Sequence, residues 1–179
     1  MDVERVEAVL GTARERGFLG PGPVSDHIAH STALGELIGR ASPFLDLGTG
    51  GGIPGLVLAE LWPDASAVLV DVSDRKCRFL RSALERLGLT GRVSVRCGRA
   101  EDLARDPDLR EGFPLVVARG FARPPVVAEC GVAFAAPAGR LVVSEPPQGT
   151  ADAELRWPPA GLARLGLGRA GLLRHGVTG

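Results

Sequence analysis

The feature that most constrains this chain is a short strand-like segment, apolar but for one aspartate, that runs without a break into glycine: Phe44-Leu45-Asp46-Leu47-Gly48-Thr49-Gly50-Gly51-Gly52-Ile53-Pro54-Gly55. A buried strand joined at once to a glycine loop, with a helix-length apolar segment after it, is the opening of a strand-turn-helix unit. Glycines there allow positive φ and let another group approach the main chain closely. Gly50, Gly52 and Gly55 satisfy the G-x-G-x-x-G spacing, and Asp71 lies beyond them at about the distance that places a carboxylate beside the ribose of a nucleotide.

Further short apolar runs occur at Ala67 to Val72, Val93 to Cys97, Leu115 to Ala118 and Arg140 to Val143. Helical stretches lie between them at about Ile53 to Leu61, Asp74 to Leu87 and Pro125 to Phe134. This alternation predicts five buried parallel strands in a doubly wound α/β sheet of the Rossmann-like kind, with its ligand site at the carboxyl ends of the strands. Two amphipathic helices precede the first strand. One carries Val3, Val6, Val9, Leu10 and Ala13 on a single face and ends before Gly20-Pro21-Gly22-Pro23; the other, with Ser25 as its expected cap, carries Ile28, Leu34, Leu37 and Ile38. After Pro146-Pro147 glycines interrupt every potential element, and Glu154 to Trp157 or Leu172-Leu173 would supply edge strands. The 179 residues are therefore expected to form one domain, with a helical segment over 1–42, a cofactor-binding core over 43–147 and a poorly defined tail over 148–179.

Balanced charge, 21 basic against 21 acidic residues, gives no global field for nucleic acid. A local exception spans Asp74 to Arg99, with eight basic and two acidic side chains and a net of +6. In it Arg75, Arg78 and Arg86 lie off the core face, as phosphate contacts or as a solvated helix surface. Cys77, Cys97 and Cys130 lack metal-binding spacing and read as structural thiols, so no metal is expected. The charged amino terminus and the absence of a long apolar run predict a cytoplasmic chain with no membrane anchor.

Three features favour S-adenosylmethionine over NAD as the nucleotide. Asp46 extends the loop to D-x-G-x-G-x-G and puts a carboxylate where an ammonium group would lie, and NAD has no ammonium there. After the third strand, Ala100-Glu101 offers a backbone N–H and a carboxylate to an adenine edge. Two helices precede the first strand. The residues alone still admit an NAD-dependent oxidoreductase or a non-catalytic cofactor-binding protein. Asp71 could instead cap the helix that begins at Asp74, Glu101 could simply sit in a helical first turn, and Arg119 could make a surface ion pair.

From about His27 to Phe121 the chain resembles the bacterial glucose-inhibited division protein B family of small-subunit ribosomal RNA guanine-N7 methyltransferases. The resemblance rests on His27-Ile28 and Ser31, on Leu45 to Gly55, on Pro63, on Asp71 with Arg75, Arg78, Phe79, Leu80 and Arg81, and on Arg119-Gly120-Phe121-Ala122. It implies a class I methyltransferase fold, S-adenosylmethionine as cofactor, and Gly48, Ile53, Ala100, Glu101 and Arg119 in or around the cofactor pocket. It also implies ribosomal RNA or the small ribosomal subunit as partner, and the chain itself is expected to be a monomer. The departures fall on the substrate side: Asp26 and His30 replace an arginine and an aspartate, and Ser144-Glu145 stands where the family places a lysine. A related enzyme acting on a small molecule is the alternative, for which His27 or His30 would be the candidate bases. Guanine N7 carries a free lone pair and needs no base, in keeping with a sequence that singles out no catalytic acid or base.

Overall fold

The computed structural model describes residues 1–145 and 153–172. Helices α1 (Val3–Glu15) and α2 (Val24–Ile38) come first. Next in order are strand β1 (Phe44–Leu47), α3 (Gly55–Leu61), β2 (Ala67–Asp71), α4 (Asp74–Leu87), β3 (Val93–Cys97), the short α5 (Ala100–Leu103), β4 (Phe113–Arg119), α6 (Pro124–Val132) and β5 (Ala135–Ser144), then α7 (Ala153–Arg156) and α8 (Pro159–Arg164). The five strands are parallel in the order β3-β2-β1-β4-β5. Strand order reverses between β1 and β4, and the crevice outside their carboxyl ends is where such sheets take ligands.

The central strands β2, β1 and β4 are covered on both faces and read as largely apolar runs, whereas the edge strands β3 and β5, expected to be buried, are mostly half-buried or exposed because each has a neighbour on one side only. Phe44, Leu69, Leu115 and Val117 pack with α1 to α4 in one core, and Leu45, Leu47, Val70, Val116, Val127 and Phe134 form the other. Phe44 and Phe134 are fully buried. Helix α4 shows how local signals set its limits. The Ser73 hydroxyl accepts the Lys76 N–H at its start, and Gly88 ends it in the left-handed conformation with φ 72°. Cys77, Leu80, Ala83, Leu84 and Leu87 recur on its buried side.

Three expectations need correction. Ser25 does not cap α2: Pro23, extended at φ −69° and ψ 155°, is the cap residue and makes no side-chain cap bond. The helix starts at Val24, which is buried, two residues earlier than a Ser25 cap would place it. Glu154 to Arg156 is helical in α7 and Trp157 is a bend after it, so the segment is no edge strand, and Pro158-Pro159 then opens α8 with a proline in its first turn. Of Leu172-Leu173, Leu172 belongs to no regular element and Leu173 lies outside the described residues. Strand β5 begins five residues earlier than the expected Arg140. Pairing with β4 steps from Phe113–Ala135 to Leu115–Arg140 across an irregularity containing Ala138 at φ 61°.

Gly52 has φ +99°, and a Cβ there would run into Leu56, with Leu56 Cγ 2.7 Å away. Leu56 is fully buried and cannot yield. Gly52→Ala is therefore expected to lower stability by about 2–4 kcal/mol from backbone strain and overpacking together. Urea unfolding would show this as a lower midpoint at unchanged slope.

Candidate functional site

At the carboxyl edge of the sheet the glycine loop is tied to its neighbours through main-chain groups. Thr49 N–H donates to the Val70 carbonyl (2.9 Å), and the Thr49 carbonyl accepts from Gly52 N–H (2.9 Å) and Ile53 N–H (3.1 Å). Asp71, at the end of β2, accepts from Gly50 N–H through Oδ2 (2.9 Å) and from Ser73 N–H through Oδ1 (2.9 Å). Lys76 Nζ stands 3.9 Å from the same carboxylate. Asp71 thus organises the loop, while Ser73 caps α4. Each oxygen keeps a second lone pair for a further donor.

Asp46 lies on β1 and is completely buried. Its Oδ2 accepts the Gly55 N–H at the start of α3 (2.8 Å), and its Oδ1 has no partner. Burial pushes the carboxyl up to about 7, opposed by the Thr49 hydroxyl, which is close enough to favour the charge without hydrogen-bonding geometry, and by the Gly55 N–H. Arg119, the last residue of β4, directs Nη2 to His27 Nδ1 at 3.1 Å, while its buried Nη1 has no partner. Burial lowers the Arg119 pKa and the Asp46 charge opposes that. Thr49 Oγ1 is the third unpartnered buried polar atom in this corner.

Burying such groups unpaired costs about 1–3 kcal/mol each. Their collection at one switch point fits a ligand with an ammonium end for Asp46 and a carboxylate end for Arg119 and Thr49. The amino-acid end of S-adenosylmethionine has those two groups.

Around this corner the structure places Phe18 and Leu19, which sequence reasoning did not single out, together with Phe79, Arg75 and Phe121, which the resemblance named without giving them these contacts. A Cβ on Gly51 would lie 3.1 Å from the Phe18 carbonyl oxygen and 2.7 Å from Leu19 Cδ2, so the α1–α2 connection crosses directly over the loop. The Phe121 ring covers Gly48. Phe18 meets Phe79 edge-on at 5.6 Å, and the Arg75 guanidinium lies over the Phe18 ring at 5.0 Å while donating to the Arg16 carbonyl at 3.1 Å. These contacts join residues far apart in sequence.

The other expected residues are more scattered. Ile53 and Ala100 are buried, the first beside the loop and the second at the start of α5. Glu101 is exposed and pairs with Arg99 at 3.2 Å. Its own backbone N–H is the main cause that holds its carboxyl below the ordinary value. Arg78 is exposed on α4, whereas Arg75 is engaged with the Phe18 segment. The +6 stretch is not one free surface, because Arg92 donates to the Ala59, Trp62 and Ala65 carbonyls and Arg96 pairs with Asp106 at 3.0 Å. Cys77 is buried and its thiol is pushed up to about 12, mainly by burial and by neighbouring Cys97, which suits a structural thiol.

Among the residues that depart from the family pattern, His30 Nε2 and Ser144 Oγ are 2.7 Å apart, and Glu145 takes Trp157 Nε1–H at 3.2 Å and pairs with Arg156 at 2.6 Å. These residues rim one end of a cavity of about 670 Å³ that runs along β5 and α2 and is lined mainly by apolar side chains such as Leu34, Leu141 and Leu162. Among the described residues no helix is long and apolar enough to cross a membrane, and no cluster of side chains suits a metal.

Residues 23–150 match the family described as GidB, rRNA small subunit methyltransferase G. The chain belongs to that family. GidB proteins are S-adenosylmethionine-dependent methyltransferases. One GidB relative, the ribosomal RNA small subunit methyltransferase G of Moorella thermoacetica, is 36% identical over 139 residues, covering 78% of this chain and 57% of its own. Another, of the same name, from Synechococcus sp. (strain RCC307), is 48% identical over 91 residues, covering 51% of this chain and 38% of its own. The chain spans about half the length of the curated GidB relatives it matches. Among solved structures, the O-methyltransferase from Bacillus cereus in complex with SAH superposes with a TM-score of 0.63 at 20% identity, covering 90% of this chain and 76% of its own. That likeness establishes the α/β methyltransferase fold. The GidB match begins at residue 23, so α1 and the Phe18 crossing lie outside it.

Proposed function

We propose that this chain binds S-adenosylmethionine at the β1–β4 switch point and transfers its methyl group to guanine N7 of small-subunit ribosomal RNA. The observation that carries the reading is the set of three buried, unpartnered atoms, Asp46 Oδ1, Thr49 Oγ1 and Arg119 Nη1, facing one corner beside the glycine loop. Arg119 and Thr49 hold the carboxylate of the amino-acid end and Asp46 its ammonium. Asp71 presents its remaining lone pairs to the ribose hydroxyls. Gly48, Gly50, Gly52 and Ile53 shape the floor, and Ala100 with Glu101 borders the adenine. NAD offers no ammonium to Asp46, which disfavours the oxidoreductase reading.

The bound cofactor supplies a methyl group on a sulfonium. The N7 lone pair forms the new bond as the sulfur–carbon bond breaks, so the protein's task is alignment rather than proton transfer. Such a transfer asks for no acid or base, which leaves Asp46 free to serve as a binding group. RNA binding rests on local cations, because the net charge is zero. Arg78→Gln is expected to raise KM for small ribosomal subunits several-fold and to flatten its salt dependence by about one phosphate contact, with cofactor affinity unchanged. Arg75→Gln should disturb both, because Arg75 also holds Phe18 over the loop. Equal effects of the two variants on cofactor affinity would contradict this division.

The test of the activity is radiolabelled methyl transfer to small ribosomal subunits from cells that lack the endogenous enzyme. Label at guanine N7 supports the reading. A second reading, a small-molecule acceptor, is favoured by one observation: His30, Ser144 and Glu145 rim an apolar cavity where the family's lysine is missing. Absence of label in RNA with methylation of a small-molecule panel would establish that reading instead.

A further inference from the structure

His27 is buried in the first turns of α2, and its ring is fixed from both sides. Nδ1 faces Arg119 Nη2 at 3.1 Å, and Nε2 faces the Gly20 carbonyl at 3.3 Å. A guanidinium only donates, so Nδ1 must accept; the ring proton then sits on Nε2 and is donated to Gly20. One neutral tautomer satisfies both contacts. The ring links the α1–α2 connection, α2 and the end of β4 at a single point.

The consequence lies with Arg119. Arg119 is half-buried with its Nη1 shut off from solvent, Asp46 is the opposite charge that acts on it, and Asp46, completely buried, also has an unpartnered Oδ1. Two such groups left free would turn toward each other, because a buried pair of opposite charges gains from direct contact. Anchoring Nη2 on His27 holds the fork to one side and leaves Nη1 open. We infer that His27 is a positioning residue: it keeps Arg119 and Asp46 apart as two separate receptors, one for the carboxylate and one for the ammonium of the cofactor's amino-acid end. This rests on the proposed cofactor role of Arg119. It gives His27 a part in cofactor affinity, distinct from a general base for the acceptor.

Isosteric variants separate this role from packing. The Asn Oδ1 falls near the place of His Nδ1 and can accept from Arg119, whereas Gln reaches the place of Nε2 and leaves Arg119 without an acceptor. Titration with S-adenosylhomocysteine is expected to show His27→Asn within about threefold of the wild type and His27→Gln weakened about tenfold. Affinity for 5′-methylthioadenosine, which lacks the amino-acid end, should be the same in all three proteins. In an Arg119→Leu background His27→Gln should add no further loss, because the two residues act through one contact. Equal losses for Asn and Gln, a parallel loss of 5′-methylthioadenosine affinity, or a full additive loss over Arg119→Leu would each overturn the inference. If Arg119→Leu itself leaves S-adenosylhomocysteine affinity unchanged, the cofactor role of Arg119 fails and the inference falls with it. If Arg119→Leu weakens binding and His27→Gln does not, only the inference fails.

Discussion

Arg119→Leu is expected to weaken S-adenosylhomocysteine binding by about 30- to 1,000-fold while leaving 5′-methylthioadenosine affinity in place. The guanidinium Nη1 is buried without a protein partner, so a carboxylate placed there meets a charge that has already lost its water. Removing one member of a desolvated, hydrogen-bonded charge pair costs about 2–4 kcal/mol, which converts to that range of affinity. The fold should survive, since Arg119 is the last residue of β4 and only half-buried. Arg119→Lys should recover part of the loss at most, because an ammonium cannot keep the His27 contact and point a second donor into the site with the same fork. Isothermal titration of the three proteins with both ligands checks this. Unchanged affinity for S-adenosylhomocysteine in Arg119→Leu would contradict it.

The second large effect is on pH dependence and belongs to Asp46. Burial raises its carboxyl from an ordinary 3.8 to about 7, so below neutrality the free protein holds it protonated and unable to pair with an ammonium. Cofactor affinity should therefore rise by up to about tenfold per pH unit on approaching pH 7 from below, and level off above it. Asp46→Asn keeps an oxygen for Gly55 N–H and loses the charge. It should remove that slope and bind about 10- to 100-fold more weakly at pH 8.

The same shift has the opposite sign for stability. A carboxyl whose pKa is higher folded than unfolded gives its full contribution below about pH 4 and loses it as pH rises through about 7. The melting temperature of Asp46→Asn relative to the wild type should therefore climb across that window in the absence of ligand. A flat difference between the two proteins from pH 4 to pH 8 would show that Asp46 ionises normally.

The sheet was legible where local signals and burial agree. Helix α4 matched its expected limits because a serine cap, a left-handed glycine and a 3.6-residue apolar period coincide. The start of β5 was not legible, since the irregularity around Ala138-Gly139 interrupts the strand pattern before Arg140. Glu154 to Trp157 alternates in neither period long enough to choose between strand and helix, and its single helical turn stops where Pro158-Pro159 opens α8.

At the site, Asp46, the glycines and Asp71 could be read in the sequence because a strand, its loop and the next strand bring them together by topology alone. Phe18, Leu19, the contacts of Thr49 and Phe121, and the link from His27 to Arg119 could not. Those depend on which surface of α1 and α2 meets the loop, and that is decided by packing between segments up to 92 positions apart. Arg75 shows the same limit. It is a cation on a solvent-side helix face by spacing, and a clamp on Phe18 in the folded chain.

The buried corner formed by Asp46, Thr49 and Arg119, as the receptor for the amino-acid end of S-adenosylmethionine, is tested most directly by calorimetric titration of the wild-type protein at pH 8. S-adenosylhomocysteine, 5′-methylthioadenosine and NAD would be titrated in parallel. S-adenosylhomocysteine is expected to bind about 100-fold more tightly than 5′-methylthioadenosine, corresponding to about 3 kcal/mol of polar contacts to the amino-acid end, with no measurable heat from NAD. Equal affinities for the first two ligands, or binding of NAD alone, would contradict that role.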